Sequence, residues 1–175
     1  YYRDYNCEPI DANTNGRWTA MYGTGGLIDM NTTQEVAQRQ EKHVLLGISQ
    51  MWEALVFSTA ADIWGDVPYS QAANAEFAQP KFDSQKEVHD AMLNLIDDAI
   101  ANFDKGQVFT LPSDFDFTFS SDVEKWKRAA HTLKSRILLN WAEAESNNYS
   151  LALEAAQRGI TDESGDGDCK ALHGA

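Results

Sequence analysis

The sequence has 175 residues, 43% hydrophobic and 23% charged, which is enough apolar material for one domain with its own core. Its 27 acidic residues outweigh 14 basic ones, for a formal net charge of −13. With no basic stripe to neutralise phosphates, that balance argues against nucleic acid and against a purely electrostatic hold on anionic lipid.

No membrane-crossing run, signal peptide or lipobox is legible. The chain opens Tyr1-Tyr2-Arg3-Asp4 without an initiator methionine. The expectation is a processed or partial chain, so the absent export signal does not argue for the cytoplasm. Residues 1–16 are polar and read as loop or extended chain. Trp18, Tyr22, Gly26 and Met30 then repeat at helical spacing, although Gly23, Gly25 and Gly26 weaken that helix.

Thr32 to Trp64 reads as one long central helix. Thr32 and Glu35 have capping-box spacing. Val44, Ile48, Met51, Leu55 and Thr59 line one face, with Leu46, Phe57 and Trp64 roughly opposite. A helix apolar on two sides is buried on two sides, so Trp52 and Leu55 are expected inside. Gly47 reads as a bend. Gly65 suits a left-handed position after Trp64, and Pro68 cannot continue a helix. Asp62 and Asp66 stand four apart. They read as turn and cap acceptors, held by backbone amides or by a basic side chain, with Arg136 the named candidate; the competing reading is a carboxylate pair for acid–base work or a hard cation.

Residues 73–83 form a loop. Ser84 and Glu87 make a capping box for a helix that runs to Lys105 and Gly106, with Val88, Met92, Leu95, Ile96, Ala99 and Phe103 as its stripe. His89 reads as solvated. Phe115, Phe117 and Phe119 alternate with polar residues, which predicts a short extended segment or a loop pinned by every second ring. Ser121 and Glu124 form a third capping box. The helix that follows carries Trp126, Ala129, Ala130, Leu133, Ile137, Trp141 and Ala144 on one face, with Arg136 and Asn140 at its edge. His131 has no partner at ligand spacing. After Asn147-Asn148, Tyr149 to Ile160 reads as a helix with small contacts. The pair resembles a tetratricopeptide hairpin.

Residues 162–175 read as a flexible acidic tail. Asp162, Ser164 and Asp166 fall at positions 1, 3 and 5 of a calcium loop, but His173 stands where a bidentate Glu belongs. Asp162, Asp166 and Asp168 are thus a weak calcium candidate only. Cys7 and Cys169 could pair only if the chain ends meet. No nucleotide loop, zinc spacing or nucleophile elbow is legible, so no catalytic residue and no cofactor is expected.

Three segments carry a resemblance. Ala61 to Ala72 resembles the "D-x-[WF]-G-D-V-P-Y-x-x-A" segment of the SusD/RagB outer-membrane nutrient-binding lipoproteins. Pro80 to Val88 resembles their "P-x-[YF]-D-x-Q-x-x-[VI]" helix start. Trp126 to Arg136 resembles "W-x-[KR]-[AF]-A-N-[ST]-L-[KR]-x-R", with His131 in place of Asn. Ser120-Ser121-Asp122 replaces the commoner Gly-Asp ahead of it.

The resemblance implies an all-α fold of tetratricopeptide-like hairpins around the long central helix. Residues 1–175 would be a single helical domain or the N-terminal part of a longer protein. It implies structural roles for Asp62, Trp64, Gly65, Asp66, Pro68, Tyr69, Trp126 and Arg136. It also implies a lipid-anchored protein of the outer-membrane surface that binds an oligosaccharide or peptide and delivers it to a SusC-like TonB-dependent transporter. Candidate ligand groups outside the hairpins are Tyr5, Asn13, Asn15, Trp18 and Tyr22, whose rings suit sugar faces and whose amides suit hydroxyls. The alternatives are a helical carbohydrate-active enzyme using Asp62 and Asp66, and an intracellular helical-repeat adaptor.

Overall fold

Leu27 to Arg39 and His43 to Trp64 form two helices where the apolar spacing predicts one. The computed structural model describes residues 11–23, 25–106, 116, 118–165 and 167–170, with side chains from Asn15 onward. Its helices are α1 (Asp11–Tyr22), α2 (Leu27–Arg39), α3 (His43–Trp64), α4 (Gln85–Lys105), α5 (Val123–Asn140) and α6 (Asn148–Gln157). The fold is all-α, and among the described residues the only extended pairing is an antiparallel bridge between Val67 and Asp83.

The break between α2 and α3 has a backbone cause. Lys42 N bonds to Ala37 O at 2.8 Å and Glu41 N to Gln38 O at 3.1 Å, with Glu41 at φ +55°. This is a Schellman ending with glutamate in the place glycine usually holds. The reversal folds α2 back onto α3. Thr32 is therefore inside α2 and caps nothing; its hydroxyl bonds to Ile28 O. The helical spacing from Trp18 to Met30 is likewise interrupted. A Cβ on Gly26 would lie 2.3 Å from the carbonyl oxygens of Ala20 and Met21, so only glycine allows the turn between α1 and α2.

α3 is the central element and packs against α2, α4 and α5. Val44, Met51, Ala54, Phe57 and Ala61 are buried along it. It is long and apolar enough to cross a membrane by length and composition, yet two-thirds of that stretch is buried inside the fold, as in a core helix. Gly47 marks a close approach: an added Cβ would sit 2.8 Å from the Phe103 ring and 3.0 Å from Ala99 O of α4. The expected burial of Trp52 is not met. It is 41% exposed, and Leu55 is half-buried. That side of α3 faces an open groove.

α4 begins as expected. Ser84 Oγ accepts from Glu87 N, and Glu87 Oε2 accepts from Ser84 N at 2.8 Å. α5 is capped one residue later than expected, because Asp122 accepts from Lys125 N. Ser121, at φ +68°, gives its amide to Asp116 instead. α5 and α6 form the tetratricopeptide-like hairpin. Leu138 packs on Ala152 and Ala155, Ser135 Oγ bonds to Ala152 O, and Thr132 Oγ1 receives Ile160 N at 2.8 Å. Residues 107–115 and 117 lie outside the described residues, and with them Phe115 and Phe117. Phe119 is buried edge-on to Trp126 at 5.0 Å.

Candidate functional site

The end of α3 is built from the signature residues. Gly65, at φ +75°, closes the helix by donating to Ala61 O at 2.9 Å. The chain then turns across Asp83, whose carboxylate collects four donors. Tyr69 N lies at 3.0 Å, Ser70 N and Ser70 Oγ at 2.7 Å, and Lys81 Nζ at 2.8 Å. Burial alone would raise the Asp83 carboxyl, but these donors pull it down to about 2. Tyr69 donates its hydroxyl to Glu53 Oε1 at 2.7 Å, and Gln34 holds the other oxygen of Glu53. Burial, then the Glu53 charge, pushes the Tyr69 phenol far above its ordinary range.

Asp62 and Asp66 both have protein partners: a backbone amide holds Asp66, as expected, and a side-chain amide rather than Arg136 holds Asp62. Asp66 Oδ1 accepts from Gln85 N at 2.9 Å and so ties the turn to the start of α4. Asp62 Oδ2 accepts from Asn140 Nδ2 at 2.6 Å, and its Oδ1 lies 2.9 Å from His89 Nε2. That second contact is close but poorly aligned, since neither His89 nitrogen makes a hydrogen bond of good geometry. Arg136 is exposed. Arg136 falls four residues before Asn140, and the shorter amide at the helix end takes the role assigned to the guanidinium.

His89 is buried, not solvated, at 2% exposure, with its ring on Trp141 at 5.3 Å. The signal was in the spacing. His89 lies three before Met92 and seven before Ile96, which places it on the apolar stripe of α4. Asp116 was also missed. It accepts from Trp126 Nε1 at 2.7 Å and from the amides of Thr118, Phe119 and Ser121. Burial opposes, but these four donors hold its carboxyl below the usual range.

The candidate ligand residues lie on α1 and before it. Tyr5 is outside the described residues, and of Asn13 only the backbone is described. Asn15, Trp18 and Tyr22 share one face of α1 at three- and four-residue steps; Asn15 is exposed and the two rings are half-buried. Trp18 meets Trp64 edge-on at 5.4 Å and Tyr22 at 5.3 Å, and Tyr22 meets Phe57 at 5.6 Å. Tyr22 also donates its hydroxyl to Pro68 O at 2.7 Å. Burial, then the Asp83 charge, pushes that phenol up to about 12. The structure thus joins Trp18 and Tyr22 to the signature turn, with exposed ring surface left over.

A groove of about 970 Å3 runs along α3 beneath the turn from α1 to α2. Its walls are almost wholly apolar, and neither Asp62 nor Asp66 lines it. A sugar would leave its hydroxyls without partners there. Elsewhere, burial and then Arg158 and Lys134 hold the His131 imidazole below its ordinary range. Asp162 is engaged by Ser164 N at 2.8 Å and Ser164 Oγ at 2.7 Å, and Asp168 lies 3.6 Å from Lys170. Asp166 and Cys7 lie outside the described residues. Among the described residues no three His, Cys, Asp or Glu side chains are grouped to hold a metal ion.

Residues 2–168 match the sequence profile of a family described as SusD-like, starch-binding and associating with the outer membrane. The chain belongs to this family. Its fold is similar to that of a SusD/RagB family protein from Bacteroides thetaiotaomicron, at 25% identity and a TM-score of 0.80, over 91% of this chain and 34% of that one. It is also similar to a chitin-binding protein, at 22% identity and a TM-score of 0.79, over 93% of this chain and 35% of that one. A further SusD-like protein from Bacteroides thetaiotaomicron matches at 22% identity and a TM-score of 0.74, covering 93% of this chain and 33% of that one. The chain therefore spans about a third of the length of these structures. No curated protein matches it.

Proposed function

We propose that this chain is part of a lipid-anchored protein of the outer-membrane surface that captures a glycan and passes it, unchanged, to a SusC-like TonB-dependent transporter. The observation that carries the reading is the family match over residues 2–168. The chitin-binding neighbour supports glycan over peptide as ligand. Asp62 and Asp66 support binding without chemistry, since both carboxylates are spent on Asn140, His89 and the start of α4. That is the work of a helix junction, and it counts against an enzyme built on this pair.

Within the described residues we assign the ligand face to Asn15, Trp18 and Tyr22; Tyr5 and Asn13 remain further candidates. Half-exposed rings offer flat apolar surface to sugar rings, and an exposed amide offers a donor and an acceptor to hydroxyls. The test is calorimetry on the full-length protein with a panel of oligosaccharides and peptides, together with an assay for products. Saturable binding of a glycan without product is expected. Turnover of any ligand would defeat the reading. Binding untouched by Trp18→Ala combined with Tyr22→Ala would remove those residues from the site.

A further inference from the structure

We propose that a polar pocket at the start of α5 is a second glycan subsite, which takes a short uncharged oligosaccharide by its hydroxyls. The proposal rests on the glycan-capture reading and adds a contact far from the α1 face. The pocket holds about 460 Å3 and brings residues 118–120 and Lys125 together with Ser164, Asp168 and Lys170. Buried Asp116 sets its shape in advance by accepting the amides of Thr118, Phe119 and Ser121 and the indole of Trp126. Ser120 stands at φ +51° and Ser121 at φ +68°. Both conformations suit glycine, so serine is held there against the backbone's preference, as happens where a side chain is put to use. The amides of Thr118 and Ser120 are spent on Asp116, at 3.0 and 2.9 Å. Among the described residues their two hydroxyls have no hydrogen-bond partner.

The lining decides what can lie there. Hydroxyls both donate and accept, ammonium groups donate and a carboxylate accepts, which matches the mixed demand of sugar hydroxyls. Phe119 is the one apolar side chain of the lining and is 6% exposed, so an apolar peptide side chain would find no surface to bury. Lys125 and Lys170 stand against Asp168 in the lining and Asp116 beneath it, so neither sign of charge prevails and an ionic ligand is not selected. The pre-set turn lets the two hydroxyls meet a ligand with little further ordering. The place of the pocket matters as well. Asn140, the last residue of α5, reaches Asp62 near the end of α3, where Trp18 meets Trp64. The pocket lies at the other end of α5, whose 18 residues extend about 27 Å at the helical rise. A short oligosaccharide therefore occupies one site or the other, while a long chain that reaches both is held more tightly than by either alone.

The experiment is calorimetry on the full-length protein with neutral trisaccharides, maltotriose and chitotriose among them, each variant checked by circular dichroism. In a background of Trp18→Ala and Tyr22→Ala, saturable binding should persist. Adding Thr118→Val and Ser120→Gly should weaken that remaining binding at least about tenfold. The same two substitutions in the parent, which keeps the α1 rings, should remove one of two binding steps; this arm decides if the ring variants fail to fold. The melting temperature should not fall on Ser120→Gly, because glycine relieves the left-handed backbone, so a loss of affinity there cannot be a loss of fold. No binding in the folded ring variants, where the parent binds, overturns the second subsite and leaves the capture reading standing. Affinity unchanged by Thr118→Val and Ser120→Gly overturns it too, as does a fall in affinity that only follows a fall in melting temperature. A parent that binds none of the sugars overturns both readings.

Discussion

Ser70 gives the Asp83 carboxylate both its backbone amide and its hydroxyl, at 2.7 Å each. With Tyr69 N and Lys81 this fixes the turn between α3 and α4 on a residue that is itself 3% exposed. The Asp83 carboxyl is lowered from 3.8 to about 2 in the fold. A depressed carboxyl contributes stability that is complete above its unfolded value and is lost as pH falls through the folded one. Asp83→Asn should therefore unfold about 2 kcal/mol more easily at pH 7. The gap from the parent should shrink between pH 4 and 2. Urea titrations at pH 7, 4 and 2 measure it, and a gap unchanged at pH 2 would contradict the linkage.

Asp62 and Asp66 should behave as structural acceptors. Asp66→Ala removes the acceptor for Gln85 N at the start of α4 and should cost about 1 kcal/mol, as other cap losses do. Asp62→Ala removes the acceptor of Asn140 and the carboxylate beside buried His89 and should cost about 1 kcal/mol. Arg136→Ala, at an exposed position, should stay within about 0.5 kcal/mol. Thermal melts of the three variants rank them. An Arg136→Ala loss as large as that of Asp62→Ala would restore the guanidinium as the partner.

α4 was legible because several local signals coincide there: Ser84 and Glu87 at its start, an apolar stripe, and Gly106 at its end. The break between α2 and α3 was not, because glutamate holds the left-handed position and the apolar spacing runs through the gap. Trp52 was misplaced for a related reason. An apolar pattern on two sides of a helix reads the same whether the second side meets core or an open groove. The signature turn was legible as a helix end, but its partners are tertiary. Asn140 reaches Asp62 across 78 positions and Gln34 reaches Glu53 across 19, and no spacing rule links such pairs. His89 differs, since its place on the stripe of α4 could be counted.

Gly47→Ala should test how tightly α3 and α4 are packed. The added methyl would meet the Phe103 ring at 2.8 Å and Ala99 O at 3.0 Å. The ring can yield and the carbonyl is fixed in α4. Higher helix propensity favours alanine by about 1 kcal/mol, while overpacking of this kind costs roughly 1–3 kcal/mol, so a net loss is expected. Denaturant unfolding reads it, and a gain in stability would mean that α4 moves away without strain.

Glu41→Gly should stabilise. Glu41 stands at φ +55° in the ending of α2, a conformation that costs residues with a Cβ and suits glycine. Its side chain is exposed, so little packing is lost. A gain of about 1 kcal/mol in denaturant unfolding is expected, reduced by the extra freedom glycine gives the unfolded chain. A loss would show that the glutamate side chain contributes more than its backbone strain costs.

Tyr22 and Trp18 allow packing and ligand contact to be told apart. Tyr22→Phe keeps the ring against Phe57 and Trp18 and removes only the hydroxyl donated to Pro68 O. That loss should cost about 1 kcal/mol of stability. Because the phenol is pushed up to about 12, the hydroxyl stays a donor throughout the neutral range, and the stability gap between the parent and Tyr22→Phe should not vary from about pH 6 to 9. Trp18→Ala removes the edge contacts with Trp64 and Tyr22 and should cost roughly 1–2 kcal/mol for a half-buried ring. Binding separates the two. If the exposed face of α1 touches glycan, Trp18→Ala should weaken affinity about tenfold, or 1.4 kcal/mol. Tyr22→Phe, whose parent hydroxyl is already engaged, should leave affinity within about twofold. Calorimetry and urea unfolding on the same full-length samples give both quantities. Affinity that falls with stability in both variants would make this face part of the scaffold, with the ligand held elsewhere.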